Sequence, residues 1–197
     1  MTDRTRPHCV VVNVHTNDQM PPDLLELAAV PIVGWAIGQP DEWIVHPDRP
    51  ITPAATMVHG ITNEEVEYTD TFPDIATSVL AALNAADVLV AHDARPQVDV
   101  LQRALGHDWT CPRVVDSLTL ARRRLPERDN HELSALAQAF TLDTELPDDA
   151  IQNRATHNAL VTARLVVHLA TAHLLEHQTC GSNSAPAPAA KPSGCSG

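Results

Sequence analysis

The sequence predicts an α/β domain: a mixed five-stranded sheet, made of a three-strand antiparallel meander plus two further strands and flanked by helices. Three observations predict it. Short β-branched runs separated by turn-sized polar segments fill the chain up to Pro47. From Asp70 the apolar spacing alternates between helical and strand-like, and from Asn130 it is helical. Hairpin-length connections join antiparallel neighbours, whereas strands separated by helices imply crossovers and helices packed on the sheet faces.

In chain order, "HCVVVNVHT" (8–16) is the first strand, because its valine run is short and β-branched. "LLELAAVPIVGWAI" (24–37) is the second, and its proline suggests a bulge or an edge position. "EWIVHP" (42–47) completes the meander. "DTFPDIATSVLAALNAA" (70–86) has helical spacing at Phe72, Ile75, Val79, Leu80 and Leu83, with Asp70 or Thr71 as its cap. "DVLVAH" (87–92) is the fourth strand. "RPQVDVLQRALG" (95–106) is a helix that starts near a proline and stops at Gly106. "RVVDS" (113–117) is the last strand and runs into the helix "LTLARRRL" (118–125). Helices over "NHELSALAQAF" (130–140) and "ATHNALVTARLVVHLATAHLLEH" (155–177) follow.

The domain is expected over residues 1–177, with a disordered tail rich in Pro, Ala, Ser and Gly over 178–197. No apolar run approaches the roughly 20 residues a spanning helix needs. The start "MTDRTRPH" has no signal-peptide apolar core, so a cytoplasmic location is expected. Cys9, Cys111, Cys180 and Cys195 show no CxxC spacing and read as reduced thiols. The formal net charge is -12, and the only lysine, Lys191, lies in the tail. Nucleic-acid affinity comes largely from neutralised phosphates, so weak bulk nucleic-acid binding is expected from this acidic body. The basic cluster "ARRRLPER" (121–128) reads as a solvated helix end.

The first strand carries a specific question in "VVVNVHTND". Asn13 and His15 stand two apart, so their side chains share one face. Three more segments accompany it in order: "PITPAATMVHGITNEEV" (50–66), "HDARPQVDVL" (92–101) and "HNALVTA" (157–163). Together they resemble the DEDDh (DnaQ-like) family of 3'-to-5' exonucleases, over about Cys9 to His173. That resemblance implies a ribonuclease H-like fold. The family's first motif reads like D-x-E-T where this chain has Asn13, Val14, His15 and Thr16. Its second reads H-N-A-x-F-D-x-x-F-L and its third H-x-A-L-x-D-A. The four metal-binding carboxylates of the family thus fall on Asn13, His15, Gln97 and Thr162, none of them acidic. His157 matches the family's general base and is the one catalytic-type residue kept.

The resemblance implies a two-metal mechanism for active members, in which the metals activate a water and stabilise the leaving oxygen. Magnesium favours hard oxygen ligands, carboxylates above all. Two dipositive ions about 4 Å apart repel by about 16 kcal/mol at an effective dielectric near 20, a load that anionic ligands offset. Asn and Gln offer neutral carbonyl oxygens, Thr a hydroxyl and His a softer nitrogen. No Mg or Mn pair is therefore expected, nor any other cofactor; a single transition metal at His15 and His157 is the weaker alternative. Thr16, His59 and Asp93 are candidates for the nucleotide cleft, with His59 shaping a loop rather than ligating.

The expected function is a catalytically inactive exonuclease-like domain that binds a nucleotide or nucleic-acid end, or a protein partner, with no membrane role. The alternative is a weak or unusual-metal 3'-to-5' exonuclease that uses His157 as general base.

Overall fold

The computed structural model describes residues 8–146, 151, 152 and 154–181. The sheet contains β1 (His8–Thr16), β2 (Leu24–Val33), β3 (Ala36–Ile37), β4 (Asp41–Ile44), β5 (Val88–Ala91) and β6 (Arg113–Asp116). Its order is β3-β2-β1-β5-β6, with β4 pairing β2 beside β3. β1 and β2 are antiparallel, as are β2 and β4, while β1, β5 and β6 run parallel. The expected meander plus two further strands is present, and the structure adds that the two further strands, β5 and β6, run parallel to β1.

The sheet has six strands rather than five, because the expected second strand folds on itself. Gly34 and Trp35 both take positive φ, 55° and 73°, and make a two-residue turn into β3. Such tight hairpins need φ > 0 at both central positions, which glycine supplies without strain. Pro31 lies inside β2 opposite Val10, in the gap between the β4 partners (26–29) and the β3 partners (32 and 33). Its missing N–H therefore costs no ladder bond on that side. The register shift of β1 against β2 falls at His15/Thr16, at the strand end, and not at the proline.

The helices are α1 (Pro53–His59), α2 (Phe72–Asn84), α3 (Ala94–Leu105), α4 (Ser117–Arg124), α5 (Leu133–Phe140) and α6 (Ala155–Gly181). α2 and α3 cover one sheet face, where Val79, Leu83, Val100 and Leu101 pack on Val10, Val12, Leu27 and Leu89. α6 covers the other, with Ala155, Ala159, Ala163 and Val166 against Val11, Val30 and Val90. α4 and α5 pack on the outer side of α6 through Ala121, Leu136 and Leu165.

α1 is the helix that the periodicity did not reveal. Its seven residues are too short for a spacing pattern, but its ends carry the chemistry of a helix. The Thr52 hydroxyl accepts the Ala55 N–H at 3.1 Å, Pro53 opens the first turn, and Gly60 closes the last at φ 78°. α6 continues to Gly181, beyond the expected boundary at 177; the rest of the tail, 182–197, lies outside the described residues. Among the described residues no helix is long and apolar enough to cross a membrane.

Candidate functional site

The end of β1, the start of α3 and the first half of α6 meet at one end of the sheet. Asn13 and His15 lie on the β1 face that Val11 presents to α6. α6 brings Ala155, Ala159, Thr162 and Val166 to the sheet on one stripe, and Thr162 is fully buried. Gln97 approaches from the opposite face. Its Oε1 accepts the Val14 N–H at 3.2 Å, and its Nε2 donates to the carbonyls of His92 at 2.7 Å and Asp93 at 3.5 Å. The amide thus ties β1 to the β5–α3 junction with both of its ends engaged. Asn13 Oδ1 and Thr162 Oγ1 are buried with no hydrogen-bond partner among the described residues.

Beside this junction lies a cavity of about 260 Å³. His15, Thr16 and Asp18 form one wall, and Ala55, Val58 and His59 of α1 the other. His15 and His59 are in ring contact, with centroids 5.1 Å apart and planes inclined by 46°. His59 Nδ1 accepts the Ile61 N–H at 3.1 Å, which leaves Nε2–H to donate to the Thr16 carbonyl at 3.3 Å. This neutral tautomer is assigned from its bonds. Burial pushes the His59 pKa below its ordinary value, against the opposing pull of the Thr16 carbonyl. Both ring nitrogens are committed to backbone, so His59 joins α1 to β1.

Under His15 sits Glu26, its partner across the β1–β2 ladder. The Glu26 side chain is fully buried; Oε1 accepts from Arg154 Nε at 2.7 Å and Oε2 from the Ala155 N–H at 2.8 Å. His15 Nε2 lies 3.9 Å from Oε2. Arg154 also pairs with Glu65 at 2.9 Å, linking the α1–α2 connection to the start of α6. Burial raises the Glu26 pKa above the usual carboxylate range, outweighing the Ala155 N–H and Arg154, which favour its charge.

Two sequence candidates stand outside this cavity. His157, in the first turn of α6, is half-buried, and its Nδ1 lies 3.4 Å from Asn158 Oδ1. Asp93 adopts φ 55°, and its N–H donates to Asp116 Oδ1 at 3.1 Å. It lines a separate cavity of about 490 Å³ with His92, Arg122, His131 and Glu132. Asp116 caps α4, accepting from the Leu118 N–H and the Thr119 hydroxyl, each at 3.0 Å. His92 takes the Ser117 hydroxyl at 2.9 Å and donates from Nε2 to the His131 carbonyl at 3.0 Å. Burial pushes its pKa down as well.

Sequence reading missed Glu26 and Arg154 as parts of the site. Glu26 was legible as the one acid inside an apolar strand, but its partner Arg154 is far along the chain. Among the described residues no group of three or more His, Cys, Asp or Glu side chains is arranged to hold a metal ion.

A mixed sheet between helical layers, with a cleft between the end of β1 and α1, is the ribonuclease H-like architecture of exonuclease folds. Residues 12–168 match the RNase_T exonuclease family, and the chain belongs to that family. It is 29% identical over 146 residues to exodeoxyribonuclease 10 of Escherichia coli K12, covering 74% of this chain and 61% of that protein. It is 28% identical over 154 residues to the DNA polymerase III subunit epsilon of the same strain, covering 74% and 60%. The chain therefore spans about three fifths of the length of these curated relatives. Exonuclease X in complex with 5' overhanging duplex DNA superposes with a TM-score of 0.69 at 24% identity, over 83% of this chain and 92% of that one. Exonuclease I of E. coli with a bound oligonucleotide gives 0.68 at 14% identity, over 88% and 43%. At these identities the structural likeness concerns the fold.

Proposed function

We propose that this domain is a catalytically silent member of its exonuclease family, kept as a binding module whose cleft takes a nucleotide or the end of a nucleic-acid strand. The observation that carries the reading is Gln97. Where the family motif has a metal-binding acid, this chain has an amide whose oxygen and nitrogen are both spent on backbone groups. Asn13 and Thr162 contribute neutral oxygens, and His15 an imidazole beside a buried carboxylate. That donor set does not fit a pair of hard divalent ions, which need anionic oxygens to offset their mutual repulsion. The acidic balance of the chain, -12 overall, favours a small ligand, a strand end or a protein partner over bulk nucleic acid.

The test offers single-stranded DNA and RNA with Mg²⁺, Mn²⁺, Zn²⁺ or Ni²⁺, alongside a His157→Ala control. The expected result is no turnover above background in any metal. Robust hydrolysis abolished by His157→Ala would overturn the proposal and leave a residual exonuclease in its place. Joint reversion, Asn13→Asp, His15→Glu, Gln97→Asp and Thr162→Asp, is expected to create Mn²⁺ binding measurable by calorimetry. A folded revertant that binds neither Mn²⁺ nor Mg²⁺ would show that these four positions do not surround one centre.

A further inference from the structure

Glu26 is the one carboxylate among the fully buried polar side chains of the described residues. Its neighbours on the same face of β2, Ala28, Val30 and Ile32, are apolar and pack under α6. An aliphatic residue would continue that pattern, and replacing a buried ion pair by apolar side chains often stabilises a fold. What the carboxylate does instead is gather donors from three places. Arg154 Nε and the Ala155 N–H hold it from the start of α6, at 2.7 and 2.8 Å. From β1, His15 Nε2 stands 3.9 Å from the oxygen that Ala155 occupies. His15 is also the residue that lines the cleft and touches His59.

We propose that Glu26 is a positioning residue for the cleft: its carboxylate holds the His15 proton on Nε2 and anchors the α6 turn that carries His157. An anion this close to Nε2 attracts an N–H and repels a lone pair, and burial weakens the screening that would blunt the difference. With the proton fixed there, the ring nitrogen turned away from Glu26 is an acceptor. The polarity of His15, which lines the cleft, is thereby set from β2 by a residue that does not line it. The anchoring follows from geometry too, because Glu26 binds the backbone N–H of Ala155 two residues before His157.

The full chain tests this by ¹⁵N spectroscopy of the histidine rings, with His15 assigned through the resonance lost in His15→Gln. Wild type is expected to show His15 as a single tautomer protonated on Nε2. Glu26→Gln, of the same size but uncharged, is expected to return His15 to a mixture and to shift the His157 signals, and Glu26→Asp to restore part of the wild-type pattern. A His15 protonated on Nδ1 in wild type, or one unchanged in folded Glu26→Gln, overturns the proposal. The wild-type measurement decides even where the variant fails to fold. A second readout rests on the proposed nucleotide-binding role of the cleft. Deoxyadenosine 5'-monophosphate, titrated without metal, is expected to bind Glu26→Gln at least about fivefold more weakly than wild type, with the surface variant Glu67→Gln unchanged. Equal affinity in folded Glu26→Gln counts against the positioning role. Failure of wild type to bind the nucleotide counts against nucleotide binding by the cleft alone, because the tautomer measurement needs no ligand.

Discussion

Gln97 shows how a residue read one way in the sequence takes on a different task in the fold. In the sequence it reads as a neutral stand-in for an acid; in the fold it holds the Val14 N–H and two carbonyls at the head of α3. Gln97→Ala strips Val14 of its acceptor, a loss expected to cost about 1–3 kcal/mol in urea unfolding. Gln97→Asp is expected to cost a similar amount, because a carboxylate one methylene shorter has no N–H for the His92 carbonyl. Thr162 behaves oppositely, since its buried hydroxyl has no partner among the described residues. Thr162→Val is therefore expected to leave stability unchanged or to raise it by up to about 1 kcal/mol. A clear loss would mean that the hydroxyl is satisfied in solution.

The buried histidines give a pH dependence. His59 and His92 have folded pKa values below the ordinary 6.5, so below that pH the unfolded chain binds more protons than the native one. Their stabilising contribution is present above pH 6.5 and is lost as pH falls through the folded values. Glu26 works the other way, contributing most below its ordinary 4.5 and less as pH rises through its raised folded value. The two effects oppose one another, so the check compares variants. Between pH 7.5 and 5.5, His59→Gln/His92→Gln is expected to lose less stability on acidification than wild type. Equal slopes in the two proteins would contradict it.

At the scale of elements, the expected strands and helices are present, and two short features were not foreseen: the hairpin into β3 and the helix α1. α2, α3 and α6 carry apolar spacing over several turns, and β1 and β2 show as continuous apolar runs bounded by polar turns. α1 escaped because seven residues make too little pattern, although Thr52, Pro53 and Gly60 announce both of its ends. Its cap is testable. Thr52→Ala removes the hydroxyl that accepts Ala55 N–H and is expected to cost about 1 kcal/mol in thermal or urea unfolding. Because α1 forms one wall of the cavity with Ala55, Val58 and His59, ligand affinity is expected to fall with it. A stability loss with affinity unchanged would show that this wall takes no part in binding.

Across the whole molecule, the charge balance bears on what the cleft is expected to hold. With 25 acidic against 13 basic residues, the expectation is that few phosphates are neutralised along a strand. Binding to long single-stranded DNA is expected to be weak near physiological salt. Its log–log salt dependence should correspond to no more than about one or two phosphate contacts. Fluorescence anisotropy across a salt series measures both; tight binding with a steep slope would point to a basic track, for which Arg122, Arg123 and Arg124 are the exposed candidates.

Periodicity and motif spacing are local properties, so the kind of fold and the order of its elements could be read along the chain, and with them the proposal that Asn13, His15, Gln97 and Thr162 stand at the family's acidic positions. What these side chains touch depends on the tertiary fold. It committed Gln97 to backbone, joined His15 to His59 across two elements, and left Asp93 beside a different cavity. It also set Glu26 beneath the cleft against Arg154, which no local pattern could foretell. A hydrogen bond or ion pair depends on which atoms arrive within about 3–4 Å of each other. For residues more than a hundred positions apart, that is settled only by packing.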